Sequence, residues 1–501
     1  MTYTRTGSHL PRRTFLNIKG AFLIFLAFLG GPAALDAQPQ YTYTANADGT
    51  SITLNHYGGL GGSVIIPTNI NGFTVTALGY AFYGIPLGSS VDVTSVVVPD
   101  SVTSIGDEAF YYSSATSVTL PESLTNFGAS VFAFSSLRSV AIPNGITTLG
   151  DGMFAECANL TNVVIANSVT DLGGAAFSGC AKLTSVILPD NIVIIPRWTF
   201  ANCGLTNMTF SSNVTSIGDS AFVGCQFTNI AISRAITNIG PGAFSSCTNL
   251  VAITVDEQNP VYRSINGVLF DKAQTTLVQY PTGLGGSYTI PAGVGNIGDS
   301  SFNGCVNMNL TIPTSVTNIQ DFAFENSYLS NIVIPGSVTT IGDGAFELCF
   351  NLIDLTIPAS VTSMYLSAVN YEPSLLGIHF MGNAPLFVPE IFSPEGTPFF
   401  YLPGTTGWST YINNYAVPAV LWNPQIQTSD GGFGISNGQF GFNITGPQIR
   451  SLRVETCTNL SNPVWTPLTN LISSYLSTGS FYFSDPQWTN NPNRFYRLSI
   501  P

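Results

Sequence analysis

A phenylalanine returns along this chain at an almost fixed interval. It stands at Phe82, Phe110, Phe132, Phe154, Phe177, Phe200, Phe222, Phe244, Phe302, Phe324 and Phe346. The steps are 28, then 22 or 23, with one jump of 58 between Phe244 and Phe302. A worn further copy puts Ala368 in the phenylalanine place. A period of this length implies a solenoid, because one such unit cannot bury its apolar face alone and must stack on the next.

Local chemistry assigns the parts of each unit. Leu183-Thr-Ser-Val-Ile-Leu-Pro189 has the Leu-x-x-Val-x-Ile alternation of a strand with one face inward. The proline ends the ladder where no backbone donor is needed. A second arc, Ser-Val-Thr-x-Ile-Gly, turns the chain. Asp-x-Ala-Phe, as in Asp219 to Phe222, then suits a short helical turn with the aspartate as cap and the phenylalanine as core filler. Parallel strands stacked at about 4.8 Å would make eleven units on the order of 53 Å long. The fold class expected is mostly β.

These residues resemble the BspA-like leucine-rich repeat family. The pattern Leu-Thr-x-Val-x-Ile-Pro-x-Ser-Val-Thr-x-Ile-Gly-x-x-Ala-Phe-x-x-Cys recurs over roughly residues 63–381. Asn259 to Phe270 is similar to the family's hairpin insertion and accounts for the jump of 58. Gly382-Asn-Ala-Pro385 with Tyr401 to Trp408 is similar to its closing segment. The resemblance implies a leucine-rich-repeat solenoid in an exported bacterial surface protein that binds other macromolecules. It implies no catalytic residue and no cofactor. Beyond Asn423 the period stops, and Phe440 to Ile444, Leu452 to Glu455 and Phe481 to Phe483 alternate like strands of a small sandwich. Val454 to Leu460, Trp465, Asp485-Pro-Gln487 and Arg494 to Leu498 are similar to a C-terminal module of exported proteins of the Verrucomicrobia. The expected organisation is a leader over 1–37, an N-terminal β-cap over 38–80, and a solenoid over 81–381 with its hairpin near 256–285. A closing segment over 382–424 and a β-sandwich-like domain over 425–501 follow.

Composition narrows the function. Only 8% of residues are charged, while 45% are hydrophobic. The one long apolar run, Ala21 to Gly31, is shorter than the roughly 20 residues a spanning helix needs. With the basic residues before it and Pro32 to Ala37 after it, the run reads as a secretory signal cleaved after Ala37. Arg12-Arg13-Thr14-Phe15-Leu16 resembles a twin-arginine motif. An ordinary signal with two adjacent arginines and an uncleaved anchor are the other readings. From Gln38 onward the chain has ten basic and 26 acidic residues, a net charge of −16. Phosphate binding needs a basic footprint, so nucleic acid is a poor partner. Two histidines remain, His56 and His379, about eleven turns apart, and no Gly-x-Ser-x-Gly elbow is present. His56 reads as a turn residue and His379 as the outward residue of a final strand.

Three sets of residues repeat at candidate positions. Cys157, Cys180, Cys203, Cys225, Cys247, Cys305 and Cys349 each lie three residues after a repeat phenylalanine. Disulfides suit an exported chain, but five consecutive cysteines in a core-like position favour stacked, buried thiols. Asp107, Asp151, Asp219, Asp299, Asp321 and Asp343 follow the Ile-Gly step. They read as turn caps, with bound calcium as the alternative. The outward strand row reads Val97, Thr119, Ala141, Val164, Ile187, Thr209, Ala231, Thr254, Thr311, Val333 and Thr356. A parallel row carries Ser95, Ser117, Ser139, Asn162, Ser185, Asn207, Asn229, Asn309, Asn331 and Asp354. Within these rows Thr119, Asn162, Ile187, Asn207, Thr209, Asn229, Thr254, Thr311, Asn331 and Thr356 are the candidate contacts. A flat, nearly uncharged face of this kind suits docking of a protein, or of a polysaccharide through hydroxyl and amide groups. The plainer reading is that strands need β-formers outside. A third possibility makes the solenoid a rigid spacer that displays the C-terminal domain.

Overall fold

The computed structural model describes residues 40–84, 92–306, 308–369, 374–388, 398–410, 419–446, 451–472, 480–485, 487–490 and 494–499. The leader expected over 1–37, with its paired arginines, lies outside the described residues.

The chain winds as a series of stacked turns with two parallel ladders and one hydrogen-bonded corner. The first ladder carries the outward rows. Gly62–Ile65, Val93–Val97, Ser117–Thr119, Ser139–Ala141 and Asn162–Val164 pair in parallel, with one register shift between Gly62 and Ser63. Asn229–Ile232 with Ala252–Val255, and Gly286–Thr289 with Met308–Thr311, continue it. The second ladder pairs the two-residue strands of the Thr-x-Ile step, such as Ser216–Ile217 with Asn238–Ile239 and Asn318–Ile319 with Thr340–Ile341.

The first ladder is less continuous than the alternation predicts. Residues 183–189, 203–211 and 331–335 form no ladder, so Ile187, Asn207, Thr209 and Asn331 lie outside strands. Of the inward side chains there, Val186 and Leu188 are half-buried, while Met208, Phe210, Ile332 and Ile334 stay buried as Val96, Val98, Ile230 and Ile232 do in paired turns.

The phenylalanines form a column. Phe82, Phe110, Phe132, Phe154, Phe177, Phe200, Phe222 and Phe244 stack with ring centroids 4.9–5.7 Å apart and planes within 24° of parallel. Tyr57 extends the column at its start, 5.4 Å from Phe82. A second run begins at Tyr280, 5.1 Å from Phe302, and continues through Phe324 and Phe346. Tyr57 and Tyr280 thus fill the phenylalanine place in the N-terminal cap and the inserted turn. The worn copy is filled by Val369 and not by Ala368. Met364 pairs with Ile341, and the Phe346 N–H reaches the Ala368 carbonyl as it would reach the residue before a phenylalanine.

The corner that carries each phenylalanine is a run of turns, not a helix. Its backbone bonds to the next turn: the Phe110 N–H donates to the Val131 carbonyl (2.8 Å) and the Phe134 N–H to the Ala155 carbonyl (2.7 Å). That geometry needs left-handed backbone two residues before and two after the phenylalanine. Glu108 and Tyr112 flank Phe110 at φ 56° and 55°, and Trp198 and Asn202 flank Phe200 at 62° and 55°. Asparagine and glycine tolerate this region, whereas most residues are strained there by about 1–2 kcal/mol.

Six of the seven repeat cysteines are small donors on this corner. Cys157 Sγ donates to the Phe132 carbonyl at 2.9 Å, and Cys180, Cys203, Cys225, Cys247 and Cys349 repeat the contact at 3.0–3.2 Å. All seven repeat cysteines are buried and free. Burial pushes the Cys157 thiol up to about 11 and the Cys247 thiol to about 12. Ser135 and Ser327 hold the same place and lie 3.4 and 3.3 Å from Cys157 and Cys349.

The jump of 58 is an antiparallel hairpin, Tyr262–Ile265 with Val268–Asp271, turned on Asn266-Gly267 at φ 51° and 83°. Leu269 packs into the core before it, while Val268 and Phe270 pack into the core after it. At the C-terminal end, Gln425–Gln427, Gly434–Ser436, Gln439–Thr445 and Ser480–Asp485 form one antiparallel sheet. Ser451–Cys457, Thr466–Ile472 and Phe495–Ser499 form another. Phe442, Ile444 and Phe483 of one meet Leu452 and Val454 of the other.

The corner makes two opposite predictions, read by thermal melts. Ala175 sits at φ 53°, so Ala175→Gly should stabilise by roughly 0.5–1 kcal/mol. Gly240 follows an isoleucine where a Cβ would lie 2.2 Å from Asp219 Oδ1 and 2.5 Å from the Asp219 nitrogen. Gly240→Ala should therefore destabilise. The reverse order would contradict the backbone geometry.

Candidate functional site

The outward rows face solvent over most of the solenoid. Thr119, Asn162, Ile187, Asn207, Thr209, Asn229, Thr254, Thr311 and Asn331 are exposed. Aliphatic side chains stand among them: Ile187 is 88% exposed, Val333 74% and Val164 55%. The row changes at its end. Thr356 is half-buried, and the residues that follow it in register, His379 and Phe400, are buried.

The C-terminal module accounts for this change. Phe400 and Trp422 belong to one core with Phe442, Ile444, Leu452, Val454 and Phe483. His379 is outward by register, as expected, yet it is sealed beneath this cover. Its ring stacks on Phe400 at 4.9 Å, and its Nε2 lies 3.3 Å from Asp354 Oδ1. The acid of the parallel row is thus half-buried beside a histidine. The alternation of the strand reveals direction but not what lands on it.

The C-terminal motif residues converge in the module. Arg494 pairs with the buried Asp485 at 2.5 Å, and the Tyr496 hydroxyl donates to the same carboxylate at 2.9 Å. Arg497 pairs with Glu455 at 2.6 Å and lies 4.5 Å over the Trp465 ring.

The aspartates act between turns. Asp107 Oδ1 accepts from the Ala129 N–H (2.8 Å), Asp151 Oδ1 from Gly174 (2.7 Å) and Asp321 Oδ1 from Asp343 (2.8 Å). Each caps the same position one turn on. Sequence reading missed that glutamates join them in the second half. Glu325 and Glu347 each follow a repeat phenylalanine, and the Asn303 amide donates to Glu325 at 2.6 Å. Burial raises Glu347 to about 7, with Glu325 and Asp343 adding repulsion. Burial likewise raises Glu325 and Asp299. Among the described residues, no three His, Cys, Asp or Glu are grouped to hold a metal ion. No helix among them is long and apolar enough to cross a membrane.

A family model described as the BspA type leucine-rich repeat region matches residues 80–203, 171–285 and 286–395, with six copies. No curated protein matches. Among solved structures, the chain is similar to a leucine-rich cell surface protein from Faecalibacterium prausnitzii. The two are 29% identical over 70% of this chain and 89% of that one, with a TM-score of 0.49. It is also similar to the pneumococcal vaccine antigen PcpA, at 20% identity over 77% and 98% of the chains and a TM-score of 0.43. A leucine-rich repeat protein from Bacteroides ovatus is 23% identical over 78% and 100%, with a TM-score of 0.41.

The glutamate column predicts a pH dependence. A carboxyl whose folded pKa is raised binds its proton more tightly when folded, so its contribution falls as pH rises from its ordinary value through the raised one. The melting temperature should fall between pH 5 and pH 8. Glu347→Gln, which mimics the protonated form, should raise it at pH 8 and flatten the slope. A slope unchanged by Glu347→Gln would contradict this.

Proposed function

The chain belongs to the BspA-type leucine-rich repeat family, and on that premise we propose that it is an exported, surface-located, non-enzymatic protein that captures another protein on its outward sheet face. One observation carries this reading. From Thr119 to Thr311 the outward row is exposed, uncharged and set with aliphatic side chains such as Ile187 and Val164. Depletion of charge at a patch centre is the compositional mark of a protein interface, and solenoids bind along extended faces. The residues of this row are aliphatic or hydroxylic, with no aromatic ring to stack on a sugar, which favours protein over polysaccharide. The leader read from the first 37 residues supports export. The cover over His379 and Phe400 supports a binding face that ends before Thr356.

Replacing Thr209 and Thr254 together with arginine tests the proposal. Both side chains are exposed, so melts should be unchanged. Capture of the partner recovered with the native chain should fall about tenfold or more, as expected when buried charge enters an apolar contact. A glycan array run in parallel separates the polysaccharide reading. Unchanged capture would place binding elsewhere.

A further inference from the structure

Exposed aromatic rings gather on the phenylalanine corner of the first turns. Tyr80, Tyr83, Tyr112 and Phe134 are 54, 44, 48 and 40% exposed. Tyr83 stacks on Tyr111 at 5.5 Å and 9°, Tyr112 stacks on Phe134 at 4.8 Å and 24°, and the two pairs meet edge to face through Tyr111 and Tyr112 at 4.8 Å. Tyr80 adds a further edge contact to Tyr83 at 5.9 Å.

Folding does not explain these rings. Tyr112 and Phe134 stand two residues after a repeat phenylalanine, in left-handed backbone at φ 55° and 59°. Other turns fill that place with Gly84, Gly179, Gly224, Gly304, Asn202 or Asn326, and with Glu156, Ser246 and Leu348, none of them aromatic. An aromatic ring there fills no core, and large exposed rings gathered in one place mark a contact surface.

The stretch of chain that carries the rings is acidic: Asp48, Asp92, Asp100, Asp107, Glu108 and Glu122 fall between Gln40 and Leu137, and the first basic residue is Arg138. Glu108 lies close enough to Tyr111 to add to the upward shift of its hydroxyl, which burial begins. Aromatic faces beside carboxylates are complementary to guanidinium groups, which stack on the ring and pair with the acid.

We propose that this aromatic corner is a second docking site, separate from the outward sheet, and that its occupant is an arginine-rich segment of a basic protein. Arginine stacks over Tyr83, Tyr112 and Phe134, and Glu108 supplies the counter-charge.

The test titrates a labelled nine-arginine peptide, a nine-lysine peptide and a soluble neutral glucan against the full chain and against Tyr112→Gly/Phe134→Gly. The double variant leaves net charge unchanged and relieves two left-handed positions, so its melt should not fall. Tyr83→Ser is a second variant that avoids those positions. The expected result is binding of the arginine peptide in preference to the lysine peptide, weakened roughly tenfold in the double variant. Three results would overturn the proposal. The first is no peptide binding. The second is equal binding of both peptides that the variants retain, which is plain charge attraction. The third is glucan binding that the variants lose, which assigns the rings to a neutral glycan. Thr209→Arg/Thr254→Arg should leave peptide binding intact, so either surface can fail without the other.

Discussion

From Tyr57 to Phe244 and from Tyr280 to Phe346, each turn closes on its neighbours through one buried aromatic ring, and the rest of the structure is set by that stacking. Rings 4.9–5.7 Å apart and nearly parallel fix the spacing between turns. Each aromatic pair adds about 0.5–1.5 kcal/mol beyond the area it buries. The same spacing brings backbone donors of one corner onto carbonyls of the next and places six cysteine thiols on the carbonyl of the phenylalanine one turn back. Left-handed backbone on either side of the ring is the conformational cost of that corner.

The poverty of charge follows from the same stacking. Turn-to-turn contacts use short neutral donors. Ser123 and Ser337 donate to Val102 and Val316 one turn back, and Thr125 and Thr339 donate to Thr103 and Thr317. The step thus carries two hydroxyl rungs around one buried aliphatic residue, Leu124 or Val338. Repeated through the solenoid, it gives a surface of hydroxyls and amides with few ions. The uncharged outward face is therefore partly a product of how the rod holds itself together, and the aliphatic residues on it are what single it out as a contact surface.

Much of this was legible in the residues. The phenylalanine period marked the solenoid, the family resemblance of Asn259 to Phe270 marked the hairpin, and the repeated cysteines marked a core position. The outward rows emerged exposed, because alternation specifies direction. Other features were hidden for physical reasons. Tyr57 and Tyr280 fill the ring position with a different residue type, and Val369 fills it with an aliphatic one, so a search for phenylalanine passes over them. The left-handed flanks carry residues as unlike as Glu108 and Trp198, because the backbone bonding imposes the conformation there. The breaks in the ladder at Ile187 and Thr209 fall on segments that alternate like the paired ones, so the alternation does not reveal them. The burial of His379 depends on a module that begins some fifty residues later in the chain.

The central claim is that register between turns, kept by the aromatic column, carries the fold. It is tested most directly by thermal melts of two deletions followed by circular dichroism. Removing residues 201–222 takes out one full period and joins Phe200 to Val223, so every ring still meets a ring. Removing residues 201–211 takes out half a period and sets all later turns out of phase. Nearest-neighbour stacking predicts a cooperative transition close to that of the full chain for the first and its loss for the second. Equal tolerance of both deletions, or collapse of the first, would contradict the account.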